Sequence, residues 1–144
     1  MQELVQDNIW IVIGEQIPSV EDAAGFAGRS DCGAVNIFTG MTRNHEKGRQ
    51  VQTLYYDCYE EMALNVLSSL AAETCNRHNA GMIVVFHRTG EVPVGECSLV
   101  VAVSSPHRKQ ALDATAELID RLKEEVPVWK KETFADEVKW KEEQ

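Results

Sequence analysis

The sequence predicts an α+β protein in which helices pack on a mostly antiparallel β-sheet. Two long segments place apolar residues three and four positions apart, which is the spacing of a helix that lies on a core. Several shorter segments are rich in β-branched and aromatic residues and are bounded by turn formers, which is typical of strands. These segments follow one another in the order β-α-β-β-α-β-β-α-β, and this order favours an α+β layer. Because the 144 residues contain no repeat or linker, we expect a single domain over residues 1–144.

The long helix near the C-terminal end is the best defined of these segments. Ser105 is the predicted N-cap, and Pro106 suits the first helical position, where a missing N–H costs nothing. Pro127 disfavours helical geometry at the residue before it, so the helix is expected to end within 123–125. Two further helices are predicted over 20–28, capped by Ser19, and over 60–79, closed by Ala80 and Gly81.

The strands are predicted over 8–13, 34–40, 51–59, 82–88, 97–103 and 126–132. Between the second and third of them, residues 41–50 are polar and predict a loop that its glycines allow to move. A charged tail that holds Trp140 follows the last strand.

Composition narrows the classes of partner. The formal net charge is −9 and the pI is near 4.9, which argues against a broad nucleic-acid surface. The first residues lack a basic and apolar leader, and no apolar run approaches the ~20 residues that span a bilayer, so we expect a cytoplasmic protein without membrane contact. The four cysteines show no C-x-x-C spacing and are predicted to be small buried hydrophobic side chains in a reducing compartment, namely Cys32, Cys58, Cys75 and Cys97.

Basic side chains gather around the long helix although the chain is acidic overall. His107 and Arg108 fall in its first turn, where unpaired N–H groups and the helix dipole already favour an anion. Lys123 follows at the edge of the apolar stripe, where we expect partial desolvation, and Lys130 and Lys131 come just after the turn. A single lysine of this kind is more simply a solvated surface charge, but the cluster favours a local pocket for a small anion.

Arg43, Asn44 and His45 lie just past a strand end, which is where loops commonly carry binding groups. The planar guanidinium of Arg43 is suited to gripping a phosphate or carboxylate at two points, although a solubilising loop explains these residues equally well.

Other kinds of site have little support in the sequence. The four histidines lack the spacing of metal ligands, and there is no P-loop, G-x-G-x-x-G or G-x-S-x-G motif, so we expect no metal and no cofactor. His78 is predicted to face solvent, and His87 to be a hydrogen-bonded structural residue.

Five segments, in the same order and at the same spacing, resemble the large, catalytic subunit of molybdopterin synthase. The resemblance covers the chain from about Ile9 to Trp140, and its most specific elements are FTG-x-x-RNH, HR and K-x-x-x-P-x-WK-x-E. The segments are FTGMTRNH (38–45), GRQVQTLYYDCYEEMA (48–63), HRTGEVPVGE (87–96), SSPHR (104–108) and IDRLKEEVPVWKKE (119–132).

This resemblance implies an α/β-hammerhead-like fold and a sulfur-transfer reaction. The substrate would be a cyclic pyranopterin monophosphate, and the sulfur donor would be a small ubiquitin-like subunit whose C-terminal Gly-Gly ends in a thiocarboxylate. A homodimer within a heterotetramer is implied, so the second protomer could supply part of a pocket. The substrate-contacting groups would be Met41, Thr42, Arg43, His107, Arg108, Lys123, Lys130, Lys131 and Glu132, with Phe38 and Ile119 as pocket wall.

Lys123 and Lys130 are the predicted catalytic residues. Lys123 would stabilise the adduct or transfer protons as the sulfur attacks, and Lys130 would hold the partner's terminal carboxyl end or the developing negative charge. The chain departs from the family pattern at Asp57-Cys58, where a glutamate and a small residue are more common, and at Ile119, where some members have methionine.

Two other functions are compatible with the same residues. A regulatory module that senses a phosphorylated metabolite would need Arg43, His107 and Arg108 but could dispense with Lys123. A scaffold would use its lysines only to receive an acidic partner surface.

Overall fold

The computed structural model describes residues 1–134, and of residues 138–141 it describes the backbone alone. The helices are α1 (Val20–Ala27), α2 (Glu60–His78) and α3 (Arg108–Glu125). The strands are β1 (Gln2–Gln6), β2 (Ile9–Gly14), β3 (Ala34–Met41), β4 (His45–Glu46), β5 (Arg49–Cys58), β6 (Ile83–Arg88), β7 (Gly90–Pro93), β8 (Cys97–Ser105), β9 (Val128–Phe134) and β10 (Val138–Lys141).

The strands form two sheets of five strands each. The first has the order β1-β2-β6-β8-β3, in which β2 and β6 are parallel and the other neighbours are antiparallel. The second has the order β10-β9-β5-β4, with β7 pairing with β5, and its pairs are antiparallel. The predicted α+β class with a mostly antiparallel sheet is therefore confirmed.

The core follows from the alternation of side chains along the first sheet. Ile9, Ile11 and Ile13 face one side of β2 and join a large buried cluster with α2, α3 and the inner residues of β5 and β9. Val12 faces the other side and joins a smaller cluster beneath α1. Because both faces of this sheet are covered by helices, its strands are buried on both sides, as their near-continuous apolar runs indicate. No helix in the described part of the chain is long and apolar enough to cross a bilayer.

The predicted strands and helices are found, and the differences lie at their ends. α1 begins as predicted: Ser19 Oγ accepts from the Asp22 N–H at 3.0 Å, and the Asp22 carboxylate accepts from the Ser19 N–H at 3.1 Å. The start of α3 was predicted two residues too early. Ser105 pairs with Ala34 as the last residue of β8, so His107 becomes the N-cap and Pro106 stays outside the helix. α2 is closed by Asn79 rather than by Ala80 and Gly81, since Asn79 adopts the left-handed conformation with φ 53°.

Residues 41–50 contain a hairpin instead of the predicted open loop. β4 pairs with the start of β5, and the turn between them uses Lys47 and Gly48 at φ 51° and 77°. Two consecutive positive φ angles characterise the tight turns whose twist matches paired strands. The short strands β1, β7 and β10 were also not predicted. The Trp140 side chain and the last residues of the predicted charged tail lie outside the described residues.

Candidate functional site

A small cavity lies where the end of β3 meets the β4–β5 hairpin and β9. Its volume is about 70 Å³. Four of the predicted site residues line it, namely Met41, Arg43, Lys130 and Glu132. The other lining residues are His45, Glu46, Val51, Leu54 and Tyr56.

The pairing of β5 with β9 builds the inner wall of this cavity. Tyr56 lies opposite Lys130, and Leu54 lies opposite Glu132. Alternate residues of a strand share a face, so the sequence K-x-E places both charged side chains inward. Lys130 Nζ is 3.9 Å from Glu132 Oε1, with side-chain exposures of 16% and 2%. The register therefore places a lysine and a nearly fully buried glutamate beside each other against the core.

The opposite wall is held by Thr42, just after an irregularity in the pairing of β3 with β8 between Gly40 and Met41. The Thr42 hydroxyl donates to the Val92 carbonyl at 3.2 Å, and its N–H donates to the Glu96 carbonyl at 3.1 Å. Thr42 is itself buried and is not among the residues that line the cavity. Its hydrogen bonds fix the backbone from which Met41 and Arg43 extend.

Arg43 lies at the mouth of the cavity. Its Nη2 is 2.7 Å from Glu46 Oε2, and its side chain is 67% exposed. An exposed ion pair of this kind is worth little in stability, so an incoming anion could compete for the guanidinium at small cost. Next to it, His45 Nδ1 is 2.8 Å from Asn44 Oδ1.

Tyr56 forms part of the floor of the cavity. Its ring packs edge-on against His87 with centroids 5.3 Å apart. Burial raises the pKa of the Tyr56 phenol; the Ser98 hydroxyl opposes this rise, and the negative charge of Glu132 adds to it. The phenol is therefore neutral at physiological pH.

The predicted set of site residues did not include Tyr56, and it named His45 only with Arg43 and Asn44 as part of a loop of the kind that carries binding groups. Tyr56 lies two residues after Leu54 along β5 and so shares its buried face, which is the signal that points it inward. His45 belongs to the RNH motif already singled out for Arg43.

α3 separates the remaining predicted residues. His107 and Arg108 form the N-cap and first residue of the helix, both are exposed, and the first turn contains no acidic side chain. Lys123 is in the last turn, fifteen residues after Arg108, which corresponds to about 22 Å along the axis. Within one chain these two ends cannot contact the same small ligand.

Lys123 itself is exposed in the single chain, so the partial desolvation that the sequence suggested is not observed there. Ile119 is half-buried against the main core, and Phe38 on β3 is 38% exposed. Lys131 lies on the outer face of β9, with Nζ 4.9 Å from the centre of the Tyr55 ring.

The sequence also made predictions for two further histidines and for the four cysteines. His87 is buried, with Nδ1 2.7 Å from the Arg88 carbonyl oxygen, as predicted. The prediction that His78 faces solvent is wrong, because its Nε2 lies 3.2 Å from Glu117 Oε1 between α2 and α3. All four cysteines are free, but only Cys75 is buried. Burial, together with the charges of Glu60 and Asp57, raises the pKa of the Cys58 thiol to about 11.

Larger clefts are also present, with volumes of about 510, 480 and 390 Å³, and Tyr56 lines the second of them as well. None of them is lined by a residue predicted for the site. Over the described residues, no group of three or more histidine, cysteine or acidic side chains is placed to hold a metal ion.

The family model and the related proteins that match this chain all point to one family. Residues 13–125 match the family described as MoaE protein. The human molybdopterin synthase catalytic subunit is 43% identical over 110 residues, covering 76% of this chain and 58% of the human protein. Molybdopterin synthase catalytic subunit 1 of Aedes aegypti is 48% identical over 106 residues, covering 73% of this chain and 68% of the mosquito protein.

Solved structures agree with this assignment. Molybdopterin synthase from Staphylococcus aureus superposes with a TM-score of 0.83 at 37% identity, covering 91% of this chain and 94% of that one. A protein–protein complex of subunits 1 and 2 of molybdopterin-converting factor from Helicobacter pylori has the same fold, with a TM-score of 0.69 at 20% identity over 94% of this chain and 91% of that one. With the family match over most of its length, the chain belongs to the MoaE protein family.

Proposed function

We propose that this protein is the catalytic subunit of a molybdopterin synthase, a sulfurtransferase of molybdenum cofactor biosynthesis. It would convert a cyclic pyranopterin monophosphate to molybdopterin with sulfur from the C-terminal thiocarboxylate of a small ubiquitin-like subunit. The observation that carries the proposal is the meeting of Met41, Arg43, Lys130 and Glu132 in one cavity of a chain that belongs to the MoaE family. Because all four cysteines are free thiols, we expect the reaction to take place in a reducing cytoplasm.

The size of the cavity indicates what it would bind. Pockets for drug-sized ligands measure roughly 300–1,000 Å³, and the cavity measures about 70 Å³. It is too small for a pterin but suits the last atoms of an extended peptide. We therefore assign it to the thiocarboxylate end of the small subunit, with Lys130 as the cation that faces the sulfur or the carboxylate that remains. Arg43 at the mouth would hold the substrate phosphate in place of Glu46.

The pterin would then lie outside the cavity, and the exposed groups on α3 are suited to holding it. His107 and Arg108 lie at a helix start, where a phosphate is favoured and no acidic side chain of the first turn competes. Since about 22 Å separates them from Lys123, we propose that each complete site takes one end of α3 from each of two protomers. Phe38 and Ile119 would form apolar wall in such a site, and closure by the second protomer would desolvate Lys123.

A single reconstitution tests the proposal. The purified chain, a thiocarboxylated small subunit and the cyclic precursor are mixed, and the dithiolene pterin is measured. We expect product, with one thiocarboxylate consumed for each sulfur transferred. Lys123→Ala should lower the rate by roughly 10²-fold or more, because Lys123 is assigned to the proton or charge transfer, while leaving unfolding and small-subunit binding unchanged.

The control is Lys109→Ala, which removes an exposed lysine of the same helix that pairs with Asp113. Full activity of Lys123→Ala would refute the assignment of Lys123. Binding of the precursor without turnover would indicate a sensor of phosphorylated metabolites, and binding of the small subunit without the precursor would indicate a scaffold.

A further inference from the structure

His45 is a titratable side chain of the cavity to which the proposed reaction assigns no role. It lies on β4 and lines the cavity together with Tyr56, Lys130 and Glu132. Its backbone position is set by pairing with Gln50, and the Asn44 carbonyl accepts the Val51 N–H at 2.8 Å. The side chain is exposed, so a proton that it accepts inside the cavity can leave to solvent.

The neighbouring Asn44 orients the imidazole. His45 Nδ1 is 2.8 Å from Asn44 Oδ1. An amide oxygen only accepts hydrogen bonds, so this contact places the ring proton on Nδ1 and leaves the lone pair on Nε2. A base oriented through its second nitrogen by an acceptor is the arrangement that activates water or a nucleophile in many enzymes.

The other titratable and charged groups that line the cavity with His45 are poorly suited to accept a proton from water. From the segment before β5 these are Arg43 and Glu46, which are paired with each other; arginine does not deprotonate in proteins. From β5 and β9 they are Tyr56, a neutral phenol, and the neighbouring pair Lys130 and Glu132.

Sulfur transfer from a thiocarboxylate requires such a base. When the sulfur attacks the substrate carbon, the carbon–oxygen bond at that carbon breaks, and the oxygen leaves with the electron pair and takes up a proton. The sulfur is then bonded to both the substrate and the acyl carbon of the small subunit. Water must then add to the acyl carbon while a base takes one of its protons. The acyl carbon–sulfur bond breaks, the sulfur keeps the electron pair as a thiolate on the pterin, and the small subunit ends in a carboxyl group that releases its proton to solvent.

We infer that His45 is a further catalytic residue, the general base that activates this hydrolytic water through Nε2, and that Asn44 is its positioning residue. This inference rests on the proposed function. The cavity of about 70 Å³ has room for a water beside the end of the small subunit, since one water needs roughly 10–15 Å³ of such a volume.

The test is a single-turnover reaction of His45→Gln with the thiocarboxylated small subunit and the cyclic precursor, followed by intact-mass spectrometry. We expect the covalent small-subunit–substrate adduct to form at close to the wild-type rate and to be hydrolysed roughly 10²-fold more slowly. Added imidazole should restore part of the hydrolysis, and the pH dependence of adduct hydrolysis should flatten. Lys47→Asn is the matched control on the same hairpin, because Asn tolerates the φ of 51° found there.

Asn44 is tested by two variants. Asn44→Asp keeps an acceptor for Nδ1 and should hydrolyse the adduct within about threefold of wild type, whereas Asn44→Leu should be about tenfold slower with an unchanged rate of adduct formation. Hydrolysis at the wild-type rate in His45→Gln would overturn the inference, and so would loss of adduct formation in a folded His45→Gln protein. A wild-type chain that yields no dithiolene product would instead overturn the proposed function, and the role of His45 with it.

Discussion

Lys130 and Glu132 show at the level of single residues how two charged side chains of the candidate site come to depend on each other. The two side chains lie 3.9 Å apart with exposures of 16% and 2%, so both are largely removed from water. Removing one partner of a buried ion pair leaves the other charge less well compensated and typically costs about 3–5 kcal/mol, whereas replacing both with apolar groups is often nearly neutral.

We therefore expect Lys130→Met and Glu132→Leu each to lower the free energy of unfolding by about 2–4 kcal/mol, with the double variant clearly more stable than the sum of the two predicts. Urea unfolding followed by circular dichroism measures this. Lys131→Met is the control, since that side chain lies over Tyr55 on the outer face and its removal should cost about 1 kcal/mol or less. Additive losses in the double variant would show that Lys130 and Glu132 do not stabilise each other.

At the level of secondary structure, the sequence predicted what periodicity and capping determine. α1 starts at Ser19 because the capping box is a local interaction, and α3 ends at Glu125, within the predicted range 123–125, because Pro127 acts on its own neighbour. Two of the errors arise where a partner distant in sequence decides. Ser105 is taken into β8 by pairing with Ala34, and β7 exists only because Gly90–Pro93 pairs with β5. Short strands of this kind carry no pattern of their own.

The contact between α2 and α3 supplies a prediction at the same level. Glu117 on α3 accepts hydrogen bonds from Arg77 and lies 3.2 Å from His78, both in the last turn of α2. Burial alone would raise the pKa of Glu117, but these two partners lower it below its ordinary value of 4.5. A carboxyl group with a lowered folded pKa contributes stability above its unfolded pKa and loses it as the pH falls through the folded pKa.

The melting temperature of the wild-type chain should consequently fall more steeply between about pH 5 and pH 3 than that of Glu117→Gln. Calorimetry over this range measures the difference. Glu124→Gln, at an exposed position of the same helix, should follow the wild-type curve. If Glu117→Gln shows the same acid slope as wild type, Glu117 does not link the two helices in the way described.

At the level of the whole molecule, the structure brings some of the predicted site residues together and holds others apart. The K-x-E spacing and the FTG-x-x-RNH segment mark four residues that line one cavity. Strand alternation turns Lys130 and Glu132 to the same face, and the pairing of β5 with β9 brings them to the hairpin. Spacing along α3, in contrast, places Arg108 and Lys123 in one cluster in the sequence but about 22 Å apart in space. A helix that connects two residues of a proposed site also separates them. A second copy of the chain could bring the start of one α3 close to the end of the other.

This separation makes the proposed homodimer testable by mixing two inactive proteins. If a complete site takes Arg108 from one protomer and Lys123 from the other, a dimer of Arg108→Ala with Lys123→Ala contains one site with both substitutions and one intact site. Random exchange then yields half heterodimers and about a quarter of the wild-type activity, although each variant alone is nearly inactive. Activity is measured after co-refolding equal amounts of the two proteins with the small subunit and the precursor present.

The double variant mixed with wild type provides the control. Its heterodimers carry one substitution in each composite site and should be inactive, so the wild-type homodimers leave about a quarter of the activity. Should the Arg108→Ala and Lys123→Ala mixture stay inactive while this control retains about half of the activity, both residues act within one protomer, and the composite site is refuted.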